Sequence, residues 1–263
     1  MTVQLKGARV LLTGATGGIG GAIARALHAR GAKLILTGRR TDVLEGLAAA
    51  VDATTIAADL SDASAVSNLI SQAGDIDILV ANAALPGAGA LVNLTDEQID
   101  RDLNVNLRAP IVLSRWASEQ MVSRGRGHIV LTGSLAGRAA SPGTAMYNAT
   151  KFGLRGFALA HREDLHGTGV GVSIVEPGFV SEAGMFIESG MPLPKGMRTV
   201  SPDDVARAVI RCIDKNLGEV MVAPTELKLA STLGLVSPRL AAAMQRRLGV
   251  ADMTAAHSGA ENR

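Results

Sequence analysis

The residues of this sequence most suited to chemistry are a tyrosine and a lysine four positions apart, Tyr147 and Lys151, in the stretch AMYNATK. Residues at positions i and i+4 share one face of a helix, so the lysine ammonium can lie near the phenol. An unperturbed tyrosine has a pKa of about 10, and a nearby cation lowers that pKa. The pair could then act as a general acid and base, although the same spacing often arises by chance in a helix core.

A serine precedes this pair at the end of a predicted strand, in the stretch VLTGSLAG. Doubly wound sheets bind their ligands at the carboxyl ends of the strands. We therefore expect the hydroxyl of Ser134 to bond a substrate carbonyl.

A glycine-rich loop, TGATGGIGG, joins the first predicted strand to an amphipathic helix. Gly14, Gly18 and Gly20 are spaced as in a dinucleotide-binding turn, where missing side chains allow a tight bend and close approach of a pyrophosphate. The helix N-terminus would offer N–H groups and a positive dipole end to the phosphates. A glycine-rich turn without a ligand is the alternative, and the strand before and the helix after the loop favour the dinucleotide.

The residues after the second strand indicate which dinucleotide binds. An acid there would accept a hydrogen bond from a ribose 2'-hydroxyl and repel a 2'-phosphate, but this chain has Gly38, followed by Arg39 and Arg40. NADP(H) is therefore favoured over NAD(H), with Arg39 as the main phosphate ligand, unless both arginines are simply solvated. Asp59, at the end of the third strand, is placed to meet the adenine edge or to cap a helix.

The elements that must position these residues follow from apolar runs that alternate with amphipathic stretches of helical length. The runs are β-branched and nearly continuous, as in parallel strands that helices cover on both faces. The sequence therefore predicts an α/β fold with a doubly wound parallel sheet of about seven strands, in a single domain over residues 1–250. The predicted strands are 8–14, 32–38, 54–59, 76–82, 127–134, 170–178 and 218–224.

Two helix starts and one helix end can also be predicted. Thr95 and Gln98 form a capping box that opens a helix running to about residue 121, and Ser201 with Asp204 begins a later helix. Gly31 is typical of a residue that ends the first helix.

Composition argues against several classes of function. The net charge is only +2, the basic residues form no run, and aromatic residues make up 2% of the chain, so nucleic acid is not an expected partner. The histidines lack metal-ligand spacing, and the single cysteine, Cys212, fits a buried core thiol. We therefore expect no bound metal. The chain also has no signal peptide and no run of about 18 consecutive apolar residues, so we expect a cytoplasmic protein.

The glycine loop, GSLAG, YNATK and EPGFVS, in this order and spacing, resemble the classical short-chain dehydrogenase/reductase family over roughly residues 5–224. The resemblance implies a Rossmann-type fold and a catalytic set of Asn106, Ser134, Tyr147 and Lys151. Tyr147 would transfer a proton, and Ser134 would orient the carbonyl. Lys151 would lower the pKa of Tyr147 and bind the nicotinamide ribose, while Asn106 would hold a water of a proton relay.

The glycine loop, the strand ends and the resemblance together predict one set of cofactor-binding residues. Its last four members would follow the nicotinamide, with the backbone of Val180 bonding the carboxamide. The set is Gly14, Thr16, Gly18, Ile19, Gly20, Arg39, Arg40, Asp59, Leu60, Asn82, Tyr147, Lys151, Pro177, Gly178, Val180 and Ser181.

The chain departs from the family pattern at two places. Ala-Asn-Ala-Ala at 81–84 replaces the common Asn-Asn-Ala-Gly, which removes a side-chain bond at the centre of the sheet and puts local rigidity in doubt. Ser181 replaces a threonine and keeps its hydroxyl, so this change is mild.

Two apolar segments bear on the substrate. The loop 182–200 is rich in Met, Gly and Pro and would close over an apolar ligand through Met185, Phe186 and Met191, unless it is a surface loop whose methionines pack down. The segment 225–250 would cover the entrance or join subunits, and membrane contact is less favoured because its last helix lacks aromatic anchors.

Residues 251–263 form a polar tail that we expect to be mobile. The resemblance to the family implies a homodimer or homotetramer.

These features favour an NADPH-dependent reductase of an apolar ketone or aldehyde, reversible as a secondary-alcohol dehydrogenase, with a small-molecule substrate. A 3-oxoacyl carrier-protein or acyl-thioester reductase is the alternative within this class, for which Arg124, Arg126 and Arg138 could form a basic docking patch. A non-catalytic NADP(H)-binding regulator or scaffold is the alternative from another class.

Overall fold

The sheet of this protein has the predicted architecture. The computed structural model describes residues 3–87, 89–181, 198–239 and 242–243. Within these ranges seven parallel strands form one sheet in the order β3-β2-β1-β4-β5-β6-β7, and each strand lies inside its predicted range. The strands are β1 Arg9–Thr13, β2 Lys33–Gly38, β3 Thr54–Ala57, β4 Ile78–Ala81, β5 Gly127–Thr132, β6 Val170–Pro177 and β7 Glu219–Val222.

Helices connect the strands and cover both faces of the sheet. Short 3-10 turns at Leu91–Asn93 and Leu135–Gly137 lie within two of the connections. The helices are α1 Gly18–Ala29, α2 Thr41–Ala50, α3 Ala63–Ala73, α4 Asp96–Leu103, α5 Ala109–Ser123, α6 Ala145–Asp164, α7 Pro202–Lys215 and α8 Thr225–Val236.

Two hydrophobic cores lie on the two faces of the sheet. α1, α2 and α7 pack on one face, and α3, α5 and α6 pack on the other. Successive residues of β1 are fully buried in opposite cores, Leu12 in the first and Leu11 in the second. This two-sided burial explains why the strands read as continuous apolar runs rather than as alternating patterns.

The order of the strands reverses beside β1. From β1 the chain builds outward through β2 to β3, and then returns to place β4 on the other side of β1. Loops that leave β1 and β4 therefore diverge, and a crevice opens between them at the carboxyl edge of the sheet. A single Rossmann-type domain is confirmed, and its topology fixes where a ligand can bind.

The predicted helix starts are present in the structure. The amide of Gln98 donates to the Thr95 hydroxyl at 3.3 Å, and the Thr95 amide donates to the Gln98 side chain at 2.9 Å. Ser201 and Asp204 form the same reciprocal pair at the start of α7. Gly31 follows α1 with a φ of 76°, in the left-handed region that favours glycine.

The long helix predicted from Thr95 to about residue 121 is interrupted. Between α4 and α5 the chain widens into a π-helical turn over Asn104–Arg108, in which the Ala109 amide donates to the Asn104 carbonyl. Pro110 has no N–H group, so it cannot donate to the carbonyl of Asn106, four residues earlier, as an α-helix requires. The proline thus explains a local opening at the residue predicted to belong to the catalytic set.

The structure also describes the single cysteine, the length of the apolar helices and the grouping of side chains that can bind metals. Cys212 is fully buried, and burial raises the pKa of its thiol to about 11, as expected of a core thiol. In the part of the chain that the structure describes, no helix is long and apolar enough to cross a membrane. The same ranges contain no group of three His, Cys, Asp or Glu side chains that could hold a metal ion.

One buried histidine links the sheet to the pH dependence of folding. The ring of His128 on β5 places Nε2 at 2.8 Å from the Ser173 hydroxyl, which itself donates to the Leu217 carbonyl at 2.5 Å. Because the serine hydrogen is used, the neutral imidazole satisfies this contact by donating from Nε2. Burial lowers the pKa of His128 to about 3.

We predict that His128 destabilises the fold in mild acid. The unfolded chain takes up a proton near pH 6.5 and the folded chain only near pH 3, so stability is lost as the pH falls between these values. At about pH 5 the expected loss is about 2 kcal/mol relative to neutral pH. Urea unfolding at both pH values should show a smaller loss in His128→Asn, whereas His166→Asn, at an exposed position, should match the wild type. Equal pH dependence in His128→Asn and the wild type would contradict this prediction.

Candidate active site

A cleft of about 480 Å³ opens at the carboxyl ends of β1, β2 and β4. The structure brings together here every residue predicted for the phosphate and adenosine parts of the cofactor, from Gly14 to Asn82. The cleft is lined by Gly14, Thr16, Gly17, Gly18, Ile19, Gly20, Thr37, Gly38, Arg39, Arg40, Ala58, Asp59, Leu60, Asn82, Ala83, Ala84, Leu85 and Val105.

Two glycines of the loop are required by close backbone packing. Gly14 has a φ of 66°, and a Cβ there would lie 2.6 Å from the Cα of Ala83. A Cβ at Gly20 would lie 2.1 Å from the Gly14 carbonyl oxygen. The first turn of α1 is therefore held against the end of β1, and no side chain caps it from Gly17. Its N–H groups lie where a pyrophosphate was predicted to bind.

The two arginines after β2 have different surroundings. Arg40 donates to the Thr16 carbonyl at 2.5 Å, so it braces the glycine loop. Arg39 is exposed and lines the cleft, and it forms no hydrogen bond or ion pair within the described ranges. A Cβ at Gly38 would lie 2.9 Å from the Thr16 side chain, so this position has no room for an acid unless Thr16 moves.

Asp59 lies in the part of the cleft predicted to hold the adenosine, and its carboxylate is already hydrogen-bonded. Its Oδ1 accepts from the Ser61 amide at 2.9 Å and from the Ser61 hydroxyl at 2.8 Å. Burial works to raise the pKa of Asp59, but the Ser61 bonds and the charges of Arg39 and Arg101 outweigh it and lower the pKa. The residue that caps α3 is Asp62, so the cap considered for Asp59 is made by its neighbour.

The ends of β1 and β4 are hydrogen-bonded to each other despite the departure from the family pattern at 81–84. The Thr13 hydroxyl accepts from the amides of Asn82 and Ala83, each at 3.0 Å. The Asn82 side chain donates to the carbonyls of Thr13 and Gly14 at 3.3 Å. The ends of β1 and β4 are thus joined by these four bonds without the side-chain bond that the sequence lacks.

The structure brings Ser134, Tyr147 and Lys151 together beyond the end of β5. The side chains of Ser134 and Tyr147 interact, and this interaction acts to lower the pKa of the Tyr147 phenol. Lys151 is almost fully buried, its Nζ donates to the Thr132 carbonyl at 3.0 Å, and it lies 5.6 Å from the centre of the Tyr147 ring. Burial lowers the pKa of Lys151 to about 8.

The expected lowering of the pKa of Tyr147 is not found in this structure. Tyr147 is partly exposed as a whole residue, but its hydroxyl is densely surrounded by protein atoms. That burial raises the pKa of Tyr147 above its usual value, and the interaction with Ser134 opposes the rise without cancelling it. The physical cause is desolvation of the phenolate, which outweighs the opposing interaction with Ser134.

The side chain of Asn106, the residue predicted to hold a relay water, is used in hydrogen bonds within the protein. It is fully buried, its Oδ1 accepts from the Leu85 amide at 2.6 Å, and its Nδ2 donates to the Leu85 carbonyl at 3.0 Å. Its side chain therefore holds the loop after β4 against the π-helical turn. A relay water would have to bind another atom of this residue, such as the carbonyl that Pro110 cannot reach.

The sequence did not single out Asn148, which neighbours Tyr147 on α6. Its Oδ1 accepts from the Ser141 amide at 3.1 Å and the Thr144 hydroxyl at 2.8 Å. Its Nδ2 donates to the Ala136 carbonyl at 2.7 Å and the Ala139 carbonyl at 3.2 Å. Asn148 thus ties the start of α6 to the turn that follows Ser134, and only its position beside Tyr147 could have signalled this.

The segment predicted to follow the nicotinamide begins at the end of β6. The Gly178 amide donates to the Val222 carbonyl at 3.0 Å, and Val180 is buried. The Ser181 amide and hydroxyl both donate to the Val200 carbonyl, at 2.9 and 3.2 Å. This segment is anchored to its neighbours rather than to the cleft walls named above.

Several predictions fall outside the described residues. The candidate substrate contacts Met185, Phe186 and Met191 lie in 182–197, and most of the segment 240–250 and all of the tail 251–263 also lie outside the described residues.

The basic patch considered for carrier-protein docking does not form. Arg124 and Arg126 precede β5, at the opposite end of the strand from Ser134, and they pair with Asp75 and Asp77. Arg138 is buried and pairs with acidic side chains. The three arginines therefore share no surface near the site.

We predict that Asn106→Ala loosens the loop after β4. The Leu85 amide and carbonyl lose both partners, and each unpaired buried group costs on the order of 1 to 3 kcal/mol. Urea unfolding should show the lower stability, and the amide of Leu85 should exchange its hydrogen faster. Ser67→Ala, which removes an exposed bond within α3, serves as the control and should leave that amide protected. Unchanged exchange at Leu85 in Asn106→Ala would contradict the prediction.

Comparison with known proteins supports the likeness seen in the site. The chain matches the family model of short chain dehydrogenases over residues 8–191. It is 36% identical to the ketoacyl reductase HetN of Nostoc sp. over 273 aligned positions, which cover 98% of this chain and 94% of the relative. It is 38% identical to the 3-oxoacyl-[acyl-carrier-protein] reductase FabG of Rickettsia conorii, over 68% of this chain and 75% of the relative.

Solved structures with the same fold include proteins bound to either nicotinamide cofactor. A putative betaketoacyl-ACP reductase has a TM-score of 0.78 at 30% identity and covers 85% of this chain and 99% of its own. A short chain dehydrogenase from Burkholderia cenocepacia in complex with NADP has a TM-score of 0.73 at 32% identity, with coverages of 84% and 98%. A 3-ketoacyl-(acyl-carrier-protein) reductase from Brucella melitensis with NADH has a TM-score of 0.74 at 26% identity, with coverages of 83% and 97%. With its sheet, its site and these matches, the chain belongs to the classical short-chain dehydrogenase/reductase family of NAD(P)-dependent oxidoreductases.

Proposed function

We propose that this protein is an NADPH-dependent carbonyl reductase, reversible as a secondary-alcohol dehydrogenase. The observation that carries the proposal is the juxtaposition of the Ser134 and Tyr147 side chains, with the buried cation of Lys151 5.6 Å from the centre of the tyrosine ring. Two hydroxyls in contact can both reach one carbonyl oxygen, which is the atom that gains negative charge during reduction.

The protonation state of Tyr147 supports the direction of reduction. A tyrosine with its ordinary pKa of about 10 is protonated at neutral pH, and burial raises the pKa of Tyr147 further, so this residue is available to donate a proton to the developing alkoxide. NADPH, when bound, supplies the hydride. Ser134 holds the carbonyl oxygen, and the ammonium of Lys151 favours the phenolate that remains after proton transfer.

Two classes of carbonyl compound fit the proposal. An apolar ketone or aldehyde agrees with the apolar segments that follow β6 and β7 in the sequence. A 3-oxoacyl thioester is favoured by the relatives, several of which are named as ketoacyl or 3-oxoacyl reductases. Since Arg124, Arg126 and Arg138 form no patch near the site, the thioester proposal does not depend on docking through them.

The cofactor, the assembly and the compartment complete the proposal. Arg39 is exposed, lines the cleft and forms no hydrogen bond or ion pair with the described residues. Gly38 leaves no acid to repel a 2'-phosphate, so we favour NADPH over NADH. By likeness to the family, we propose a homodimer or homotetramer in the cytoplasm, and Phe152 on α6 is an exposed apolar side chain that such a contact would cover.

We predict that Tyr147→Phe abolishes turnover while cofactor binding remains. The change removes the proton donor and little volume, so kcat should fall by about 100-fold or more. Nicotinamide absorbance with ketones and 3-oxoacyl thioesters measures turnover, and fluorescence titration measures the Kd for NADPH. Turnover equal to the wild type would refute the assignment, whereas NADPH binding without turnover in the wild type on every carbonyl compound would favour a regulatory role.

We predict that Arg39→Gln weakens NADPH binding and spares NADH. Loss of one charge-assisted bond to a phosphate should raise the Kd for NADPH by about 10- to 100-fold. Arg40→Gln is the matched control, and it should have a smaller and less selective effect because Arg40 bonds the Thr16 carbonyl. An equal loss of affinity for both cofactors in Arg39→Gln would contradict a role in binding the 2'-phosphate.

A further inference from the structure

Four charged side chains form a buried cluster among the elements that carry the proposed catalytic residues. The buried charge cluster consists of Arg138, Arg155, Glu176 and Glu219. Arg138 donates from Nε to Glu176 and from Nη2 to Glu219, both at 2.5 Å, and Arg155 donates from Nε to Glu219 at 2.6 Å. None of the four side chains is more than 25% exposed.

Glu176 links the cluster to both sides of the site. It is fully buried on β6, directly before Pro177 and Gly178, where the nicotinamide segment was predicted to begin. Its Cγ lies 3.2 Å from where a Cβ would stand at Gly133, the residue before Ser134. A displacement of the Glu176 side chain would therefore be felt at the turn that presents the Ser134 hydroxyl.

Arg138 connects Glu176 to the other end of that turn. The Ser134 hydroxyl accepts from the Ala136 amide at 3.1 Å, which begins the 3-10 turn Leu135–Gly137. Arg138 follows the turn, and its amide donates to the Leu135 carbonyl at 2.9 Å. The turn is thus fixed at its start by Ser134 and beyond its end by the ion pair of Arg138 with Glu176.

Arg155 connects the cluster to the helix of Tyr147 and Lys151. It lies four residues after Lys151 and eight after Tyr147, so the three side chains follow one face of α6. Its Nε lies 3.6 Å from Oε1 of Glu176 as well as bonding Glu219. The Glu176 carboxylate is therefore linked to the turn of Ser134 through Arg138 and to the helix of Tyr147 through Arg155.

Fold stability is a weak explanation for these buried charges. Within the described residues, Oε1 of Glu176 has no hydrogen-bond donor, so burial of its charge is only partly compensated. Apolar side chains of similar volume are often equally or more stabilising than a buried ion pair. Hydrogen bonds between charged groups are directional, so they hold the connected segments at set distances.

We propose that Glu176 is a positioning residue for proton transfer, holding the turn of Ser134 and the helix of Tyr147 so that both hydroxyls meet one carbonyl oxygen. This inference rests on the proposed function. The charged groups that face Glu176 are Arg138 after the 3-10 turn, Arg155 on α6 and Glu219 on β7. Burial raises the pKa of Glu176 to about 7, against the lowering effect of Arg138 and Arg155. Protonation would weaken its hold on both arginines, so kcat should decline as the pH falls through this range.

The test compares Glu176→Gln with the wild-type protein. The variant keeps the shape but removes the charge, and a shift of the two hydroxyls should lower kcat by about 10- to 100-fold. The Kd for NADPH should change less than about 3-fold, because Glu176 does not line the cleft. The acid limb of the kcat profile with a midpoint near pH 7 should disappear. Asp214→Asn, which breaks an exposed ion pair with Arg30, is the control and should match the wild type in all three measurements.

A second variant keeps the test decisive if Glu176→Gln folds poorly. Glu176→Asp retains the charge with a shorter reach, so it should lower kcat but keep the acid limb. A folded Glu176→Gln with wild-type kcat and an unchanged acid limb would overturn the inference, as would a Glu176→Asp protein with wild-type kcat. Absence of turnover in the wild type would instead refute the proposed function, so the two failures are distinguishable.

Discussion

The site depends on one constraint, which is that all seven strands end at the same edge of a parallel sheet whose order reverses beside β1. The reversal opens a crevice between the loops that leave β1 and β4. Close packing then shapes the crevice, because the backbone at Gly14 and Gly20 approaches too closely for any side chain. Every residue discussed as a cofactor or carbonyl ligand comes from a loop at this edge or from a helix that the edge supports.

Burial controls the chemistry of the residues at this edge. It lowers the pKa of Lys151 to about 8 and raises that of Tyr147, so a cation and a neutral phenol lie side by side at neutral pH. The same burial makes the cluster around Glu176 costly unless its bonds are directed. Tyr147 is therefore protonated at neutral pH, and the ion pairs of Glu176 link the segments that carry Tyr147 and Ser134. The buried polar groups that carry this desolvation cost lie under the turn of Ser134 and along the helix of Tyr147.

Much of the fold and the cleft could be predicted from local sequence signals. Continuous apolar runs predicted the strands, and the glycine spacing with Gly38 and Arg39 identified residues that line one cleft. The π-helical turn was missed although its cause, Pro110, is visible in the sequence. Bonds between distant residues, such as Asn106 with Leu85 or Arg138 with Glu176, leave no local signal. The direction of the pKa of Tyr147 was predicted wrongly because it depends on burial, which spacing alone does not give.

The most direct test of the account follows the hydrogen atom that is transferred. Purified protein would be given NADPH carrying deuterium at C4 of the nicotinamide, together with an apolar ketone or a 3-oxoacyl thioester in ordinary water. The account predicts that deuterium appears on the carbon of the new alcohol, while the hydroxyl hydrogen comes from solvent through Tyr147. An alcohol without deuterium at that carbon, when both faces of the nicotinamide have been labelled, would contradict direct hydride transfer.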